Sequence, residues 1–209
     1  MQQSGKYKPK FSPQDVEIIS KERLYNGFFS VIKYCFRHKL FAGGWSANLE
    51  RELLERGDAA SVLPYDPETD QVVLIEQIRV GAVEHACPWQ LEIIAGMIDL
   101  DESSEDVIRR EAREEAGIDL GCVKKLTSYY PSPGGCSEKL DVFVGQVDAL
   151  TAKGIHGLDY EGEDINVLVV DRAQAYHWIE EGVIQNGASI IALQWLELNH
   201  QRLKVEWRK

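Results

Sequence analysis

Three glutamates fall on one side of a helix that the sequence predicts over residues 104–116. Glu111 and Glu115 are four residues apart and Glu114 is three residues from Glu111, so their carboxylates share a helix face. All three lie in the last turns, where the helix dipole is negative and each acid is expected to cost about 0.3–1 kcal/mol. A bound hard cation such as Mg2+ would relieve this repulsion. The alternative is a solvated acidic face held by intrahelical ion pairs, for which Arg110 is spaced to reach Glu114.

The helix lies within a longer pattern of fixed spacing. Its positions are Gly96, Glu102, Arg110-Glu111-Ala112, Glu114-Glu115 and Gly117-Ile118. Over 23 residues this pattern resembles the Nudix box, Gx5Ex7REUxEExGU, and it departs only at Ala112, where a larger aliphatic residue is usual. The resemblance to the Nudix hydrolase family implies a strand–loop–helix unit on a mixed-sheet α/β/α sandwich. It also implies Mg2+-dependent hydrolysis of a nucleoside diphosphate linked to another group.

A second acidic segment, residues 159–164, belongs to a glycine-containing loop that begins at Gly154. Taken alone, it predicts a solvated surface loop. The resemblance to the family implies that Glu161 is the general base. It also implies four metal ligands, which are the main-chain carbonyl of Ala95 and the side chains of Glu111, Glu115 and Glu163. Two or more Mg2+ ions are implied in each site, with Mn2+ able to substitute.

Residues outside the box resemble the ADP-ribose pyrophosphatases within this family. Pro133 lies fifteen residues beyond Ile118, a distance typical of that group, although Ser-Pro-Gly-Gly alone would predict an ordinary turn. Further similar segments are residues 25–29, 51–56, 76–79, 154–158 and 192–196. By this resemblance the substrate contacts are Phe28, Phe29, Arg51, Glu52, Arg56, Arg79, Met97, Ser132, Pro133, Gly134 and Glu138.

These residue types suit the chemistry that the resemblance implies. Aromatic rings can stack on adenine, arginines can donate to a diphosphate, and Glu138 can accept hydrogen bonds from ribose hydroxyls. Each also has an ordinary alternative: Phe28 and Phe29 as core residues, and the arginines as partners in surface ion pairs.

The implied reaction is attack of water on one phosphorus of ADP-ribose, which gives AMP and ribose 5-phosphate without a covalent intermediate. Two alternatives remain open. One is another sugar-nucleotide specificity such as GDP-mannose, and the other is a non-catalytic Nudix domain that senses ADP-ribose. The resemblance further implies a homodimer whose N-terminal strands reach the partner's site. The residues that would approach the partner's Glu111 helix are Phe28, Phe29, Arg51, Glu52 and Arg56.

Charge and composition exclude several classes of protein. The chain carries 34 acidic and 23 basic residues, a net charge of −11, and this overall field disfavours nucleic-acid or anionic-membrane partners. No apolar run approaches the roughly 18 residues that cross a bilayer. The four cysteines form no CxxC pair, which disfavours zinc and disulfide scaffolds and favours reduced thiols in the cytoplasm. A small anionic substrate remains possible where cations gather.

Hydrophobic patterning predicts the elements that position these residues. Strands are expected over residues 16–19, 61–65, 71–77, 90–98, 142–147 and 165–170, and a strand or hairpin arm over 28–41. Helices are expected over 104–116, 172–181 (capped by Asp171) and 188–203, and residues 47–56 fit a strand or a short helix. Strands dominate the first half without βαβ alternation, which predicts an α+β sandwich with a mixed sheet. The expected organisation is a β-rich segment over residues 1–56, used for dimerisation, followed by a Nudix domain over 57–209. Residues 1–14 are expected to form a loosely held arm.

Overall fold

The computed structural model describes residues 7–207. The first six positions of the arm predicted over residues 1–14 therefore lie outside the described residues. The described chain forms two compact units. The first comprises the described part of Met1–Arg56 together with Ser132–Glu138, and the second comprises Gly57–Pro131 together with the described part of Lys139–Lys209.

The first unit is a three-stranded antiparallel sheet. Its strands are β1 (Val16–Asn26), β2 (Ser30–His38) and β3 (Leu49–Glu55), in that spatial order. The two alternatives for residues 47–56 are thus resolved in favour of a strand. The turn Ser132–Glu138 is held to β3, because the Leu54 amide donates to the Gly135 carbonyl at 2.8 Å and the Ser137 amide donates to the Leu54 carbonyl at 3.0 Å.

The second unit contains an eight-stranded mixed sheet. Its strands are β4 (Ala59–Asp66), β5 (Gln71–Ile78), β6 (Trp89–Glu92), β7 (Ile94–Met97), β8 (Val123–Tyr129), β9 (Leu140–Gln146), β10 (Ile155–His156) and β11 (Ile165–Asp171). The order is β10-β11-β5-β4-β9-β8, with β6 paired to β5 and β7 paired to β4. The β4–β9 pair is parallel and the others are antiparallel. The predicted mixed sheet is confirmed.

Several strand predictions differ from the structure. Strand β1 continues to Asn26, seven residues beyond the predicted end at Ile19, and the short β10 lies in the segment that was expected to be a loop. The single strand expected over residues 90–98 is two strands, because the chain changes partner at Ile93 and moves from β5 to β4. Strand β8 was not predicted. It is an edge strand that carries Lys124 and Lys125, and such charged edge strands lack the apolar alternation that identifies a half-buried strand.

Three helices complete the second unit. They are α1 (Ser104–Ala116), α2 (Arg172–Glu180) and α3 (Gly187–Glu206). Helix α1 has the predicted bounds: Ser103 and Asp106 form a capping box at its start, and Gly117 ends it at a φ of 63°. Asp171 occupies the N-cap of α2 as expected, but its side chain makes no capping hydrogen bond. No helix within residues 7–207 has the length and apolarity needed to cross a membrane.

Helices cover both faces of the large sheet. On one face, Val107, Ile108 and Ala112 of α1 pack with Val62 and other sheet residues. On the opposite face, Leu193 and Leu196 of α3 pack with Leu63. Because Val62 and Leu63 are adjacent in β4 yet belong to different clusters, the sheet separates two cores. This is the α/β/α sandwich that the sequence predicts.

An ion-pair network ties the β4–β5 turn to α2 and α3. Asp70 accepts hydrogen bonds from Tyr65 at 2.7 Å and from Arg172 at 3.1 and 3.2 Å, and it pairs with Lys204 at 3.2 Å. Arg172 also pairs with Glu197. Burial alone would raise the pKa of Asp70, but the hydrogen bonds from Arg172, Tyr65 and Lys204 outweigh it and lower that pKa to about 2.

Because the folded-state pKa of Asp70 is depressed, its contribution to stability is complete above the unfolded pKa near 4 and is lost as the pH falls through about 2. We expect Asp70→Asn to lower the free energy of unfolding at pH 7 by about 1–2 kcal/mol, a figure that allows for partial exposure. Asparagine tolerates the positive φ at this position, so the change isolates the charge. Urea denaturation at pH 7, 4 and 3 should show the difference shrinking. Asp171→Asn is the control, and a pH-independent difference would contradict the assignment.

Candidate active site

Strand β7 and helix α1 bring two glutamates of the box against one short piece of backbone. The Ala95 amide donates to Glu115 Oε2 at 3.1 Å. A Cβ built on Gly96 would lie 1.8 Å from Glu111 Oε1, so the backbone there approaches the carboxylate too closely for any side chain. Pairing of Gly96 with Ala60 in β4 places this backbone. The glycine that opens the box is therefore required by the position of Glu111.

Arg110 forms the ion pairs that the acidic-face alternative required. Its Nη1 donates to Glu111 at 2.7 Å and to Glu114 at 3.0 Å, which confirms the predicted Arg110–Glu114 pair. Its Nε and Nη2 donate to the two carboxylate oxygens of Glu102 at 3.1 and 3.2 Å. Among the described residues, no ion pair reaches Glu115, which is only 4% exposed. The ion pairs of Arg110 thus offset the negative charges of Glu102, Glu111 and Glu114. Among the described residues, no ion pair offsets the charge of Glu115.

Burial and mutual repulsion perturb the two inner carboxylates. Burial raises the pKa of Glu111 to about 7, with Glu114 and Glu163 adding to the effect and Arg110 opposing it. Burial and then Glu111 raise the pKa of Glu115 to about 8, while the Ala95 amide and Arg79 oppose the rise. Burial and neighbouring carboxylates thus disfavour the charged forms of Glu111 and Glu115, and a bound cation would offset that cost.

The donor set therefore fits a hard divalent cation. Carboxylate and main-chain carbonyl oxygens are the ligands that Mg2+ prefers, and the chain brings Glu111, Glu115 and Ala95 together. Within residues 7–207, however, no three acidic, histidine or cysteine side chains already form a metal shell. The glutamates are engaged instead by Arg110 and by main-chain amides.

The loop before β11 rests on the C-terminal end of α1. The Gly157 amide donates to the Glu114 carbonyl at 3.2 Å, and a Cβ on Gly117 would lie 2.5 Å from the His156 ring. Glu163 accepts from the Leu158 amide at 3.0 Å. This docking explains why the charge of Glu163 raises the pKa of both Glu111 and Glu115. The structure thus places Glu163 close enough to Glu111 and Glu115 for its charge to act on both.

Glu161 lies two residues before Glu163, in a 3-10 turn over Asp159–Glu161. Its side chain is exposed, and no hydrogen bond or ion pair with the described residues engages its carboxylate. Gly162, at a φ of 70°, follows the turn. Among the described residues, the Glu161 carboxylate therefore has no partner, whereas the Glu163 carboxylate is held by a main-chain amide.

Two predicted substrate contacts also belong to the second unit. Arg79 follows β5; its Nε donates to Glu92 Oε2 at 2.8 Å, and its Nη2 forms an ion pair with the same oxygen at 2.7 Å. Met97, at the end of β7, is partly exposed and pairs with Ala59. Sequence reasoning missed Glu92, a 4%-exposed carboxylate. The available signal was a charged residue in the otherwise apolar run Leu91-Glu92-Ile93-Ile94.

The first unit contains the remaining predicted contacts. Phe28 and Phe29 meet edge to face with ring centroids 4.8 Å apart, and the Arg56 guanidinium lies over the Phe29 ring at 5.2 Å. Arg56 also pairs with Glu138 at 3.5 Å. Phe28 is 86% exposed, so the alternative of a core residue is wrong for it. Exposed positions are also occupied by Arg51 and Glu52 on β3 and by Ser132, Pro133 and Gly134 in the turn.

Comparison with known proteins agrees with this geometry. A family model described as NUDIX domain matches residues 55–187. The ADP-ribose pyrophosphatase of Escherichia coli (strain K12) is 58% identical over 198 residues, which cover 94% of this chain and 95% of the relative. The GDP-mannose pyrophosphatase of Enterobacter sp. (strain 638) is 38% identical over 189 residues, covering 88% and 96%. A crystal structure described as an ADP compounds hydrolase shares the fold, with a TM-score of 0.70 at 22% identity over 95% of this chain and 100% of that one.

The close approach at Gly96 makes a direct prediction about metal binding. Gly96 does not have a positive φ, so Gly96→Ala is tolerated by the backbone, but its Cβ must displace the flexible end of Glu111. We expect about 10–100-fold weaker Mn2+ binding, the range typical when the support of a ligand is lost, with little change in melting temperature. Electron paramagnetic resonance titration with Mn2+ measures the affinity. Gly81→Ala, where a Cβ meets open space, is the matched control. Equal Mn2+ affinity in both variants would exclude Glu111 as a ligand.

Proposed function

This chain belongs to the NUDIX domain family, and we propose that it hydrolyses the diphosphate of ADP-ribose to AMP and ribose 5-phosphate. The observation that carries the reaction class is the pair of buried glutamates, Glu111 and Glu115, held against the Ala95–Gly96 backbone. Similarity to ADP-ribose pyrophosphatases along nearly the whole chain supports the substrate.

The proposed metal ligands are Glu111, Glu115, Glu163 and the Ala95 carbonyl. When bound there, Mg2+ would neutralise charge on the diphosphate oxygens and lower the pKa of water. We propose two or more ions in each site, with Mn2+ able to substitute. The burial of Glu115 without an ion pair to any described residue, and the effect of the Glu163 charge on it, support this ligand set.

The general base and the substrate contacts are assigned to further side chains of this chain. Glu161 is proposed to take the proton from the attacking water, and its unengaged carboxylate supports this role. Arg79 is proposed to donate to a diphosphate oxygen through Nη1, since Glu92 occupies its other two nitrogens. The proposed contacts to the rest of the substrate are Phe28, Phe29, Arg51, Glu52, Arg56, Met97, Ser132, Pro133, Gly134 and Glu138. The exposed Phe28 ring and the Arg56–Glu138 pair support this set.

We also propose that the protein is a homodimer with a native mass about twice that of the 23.7 kDa chain. Strand β1 supports this, because it is an edge strand of eleven residues that is exposed along its whole length. Ile18, Ile19, Leu24 and Tyr25 lie uncovered on it, and long apolar edge strands are normally covered by a partner. The four free cysteines support a cytoplasmic location.

A substrate panel tests the proposed specificity. ADP-ribose, GDP-mannose, NADH and diadenosine polyphosphates would be compared with Mg2+ present, and products identified by chromatography. We expect the highest kcat/KM for ADP-ribose, AMP and ribose 5-phosphate as its products, and complete loss of turnover with a chelator. The similarity to a GDP-mannose pyrophosphatase makes GDP-mannose the second candidate. A tenfold or greater preference for it would reverse the assignment.

Two substitutions in one loop separate proton transfer from metal binding. General-base assistance contributes about 10²–10⁴-fold, so Glu161→Gln should lower kcat within that range. Its affinities for Mn2+ and for a non-hydrolysable ADP-ribose analogue should stay near those of the unmodified protein. Glu163→Gln, two residues away, should instead show a loss that added Mg2+ partly restores. If Glu161→Gln keeps most of its kcat at saturating Mg2+ and substrate, the base is another acid.

A further inference from the structure

Arg79 is held by a carboxylate that lies almost entirely out of solvent. Its Nε donates to Glu92 Oε2 at 2.8 Å and its Nη2 forms an ion pair with the same oxygen at 2.7 Å, while the Arg79 side chain itself is 44% exposed. Glu92 is 4% exposed. An arginine anchored through two of its nitrogens keeps its third, Nη1, directed away from the anchor. The ion pair with Glu92 therefore restricts the orientation of the Arg79 guanidinium and leaves it accessible to solvent.

The second oxygen of Glu92 is held from helix α3. Asn186 Nδ2 donates to Glu92 Oε1 at 2.9 Å, and Asn186 is also the N-cap of α3, where its Oδ1 accepts from the Ser189 amide at 3.1 Å. The Ser189 hydroxyl donates to Asn186 Oδ1 at 3.2 Å and accepts from the Ile93 amide at 3.0 Å. Both oxygens of Glu92 and both ends of the Asn186 amide are thus engaged.

This chain of contacts joins the site to the opposite face of the sheet. Helix α3 packs in the core that lies across the sheet from α1, yet its N-cap reaches the residue that holds Arg79. The positive charge of Arg79 in turn acts on Glu115, a residue of α1. A buried carboxylate between two fixed donors has one available position, and so does the arginine bound to it.

We propose that Glu92, held by Asn186, is a positioning residue that orients Arg79 toward the diphosphate of the substrate. This inference rests on the proposed function, in which Arg79 binds the diphosphate. Ordering a long side chain on binding costs about 0.5–1.5 kcal/mol, or roughly 2–12-fold in affinity. Glu92 and Asn186 remove that cost by ordering Arg79 before the substrate binds. Their loss should therefore raise KM more than it lowers kcat.

A double-mutant cycle tests the proposal. Glu92→Gln keeps the shape of the side chain and removes its charge, and we expect it to raise KM for ADP-ribose about 3–10-fold. In an Arg79→Ala background the same change should alter KM less than about 1.5-fold, because nothing remains to be oriented. It should also raise the melting temperature there, since it removes a buried unpaired charge. Asn186→Ser, which keeps a capping oxygen but loses the donor to Glu92, should raise KM in the same direction. Exposed Glu68→Gln is the matched control and should change neither parameter.

A second measurement makes failure of the proposal distinguishable from failure of the proposed function. In nitrogen-15 labelled protein, the Arg79 Nε–H resonance, identified by its absence from Arg79→Lys, should be sharp and slow to exchange. It should broaden or vanish in Glu92→Gln and stay unchanged in Glu68→Gln. Absence of ADP-ribose turnover by the unmodified protein would overturn the proposed function and, with it, the role of Arg79 at a diphosphate. An equal rise in KM in both backgrounds, or an Arg79 resonance unaffected by Glu92→Gln, would overturn positioning while leaving the proposed function intact.

Discussion

The constraint on which the site depends is the approach of two buried carboxylates to one stretch of strand backbone. Glu111 and Glu115 lie one helical turn apart on α1, and they meet β7 at Ala95 and Gly96. Helix α1 is held in this position because Val107, Ile108 and Ala112 pack into the core beneath it. Strand β7 is held in its position because it pairs with β4. Because Glu115 is buried, its negative charge is energetically costly, and a bound cation would lower that cost. Fold and metal preference thus follow from the same contact.

The elements that could be predicted from sequence are those with local signals. Helix α1 has its predicted bounds because Ser103 and Asp106 form a capping box and Gly117 adopts the left-handed conformation that ends a helix. The break at Ile93 could not be predicted, because an apolar run does not indicate that its two halves pair with different strands. Strand β8 was missed for a related reason: its lysines reflect an edge position, which only the complete sheet defines.

The site residues likewise fall into those that local spacing predicts and those whose position depends on distant contacts. The spacing of Glu111, Glu114 and Glu115 on one helix indicates a cation from sequence alone, since helical geometry is local. The position of Glu163 is not local, because it depends on β11 pairing with β5 and on Gly157 meeting the end of α1. Its proposed role came from resemblance to the family. The importance of Glu92 lies in contacts with residues 13 and 94 positions away, which no spacing pattern reports.

Electrostatics sets the condition under which so acidic a chain could bind the doubly charged anion that we propose as its substrate. A net charge of −11 repels such a substrate over long distances, so attraction must be local. Arg110 is committed to glutamates of its own helix, and Arg79 is tied at one edge to Glu92. The acidic cluster would have to be overcompensated by bound divalent cations before a diphosphate could approach. Arg79 would then contribute direction more than charge, since one fixed guanidinium beside several cations adds little attraction but selects an orientation. If the proposed roles hold, both helical layers serve the same reaction: α1 carries the proposed ligands Glu111 and Glu115, and the start of α3 holds Glu92, which anchors Arg79.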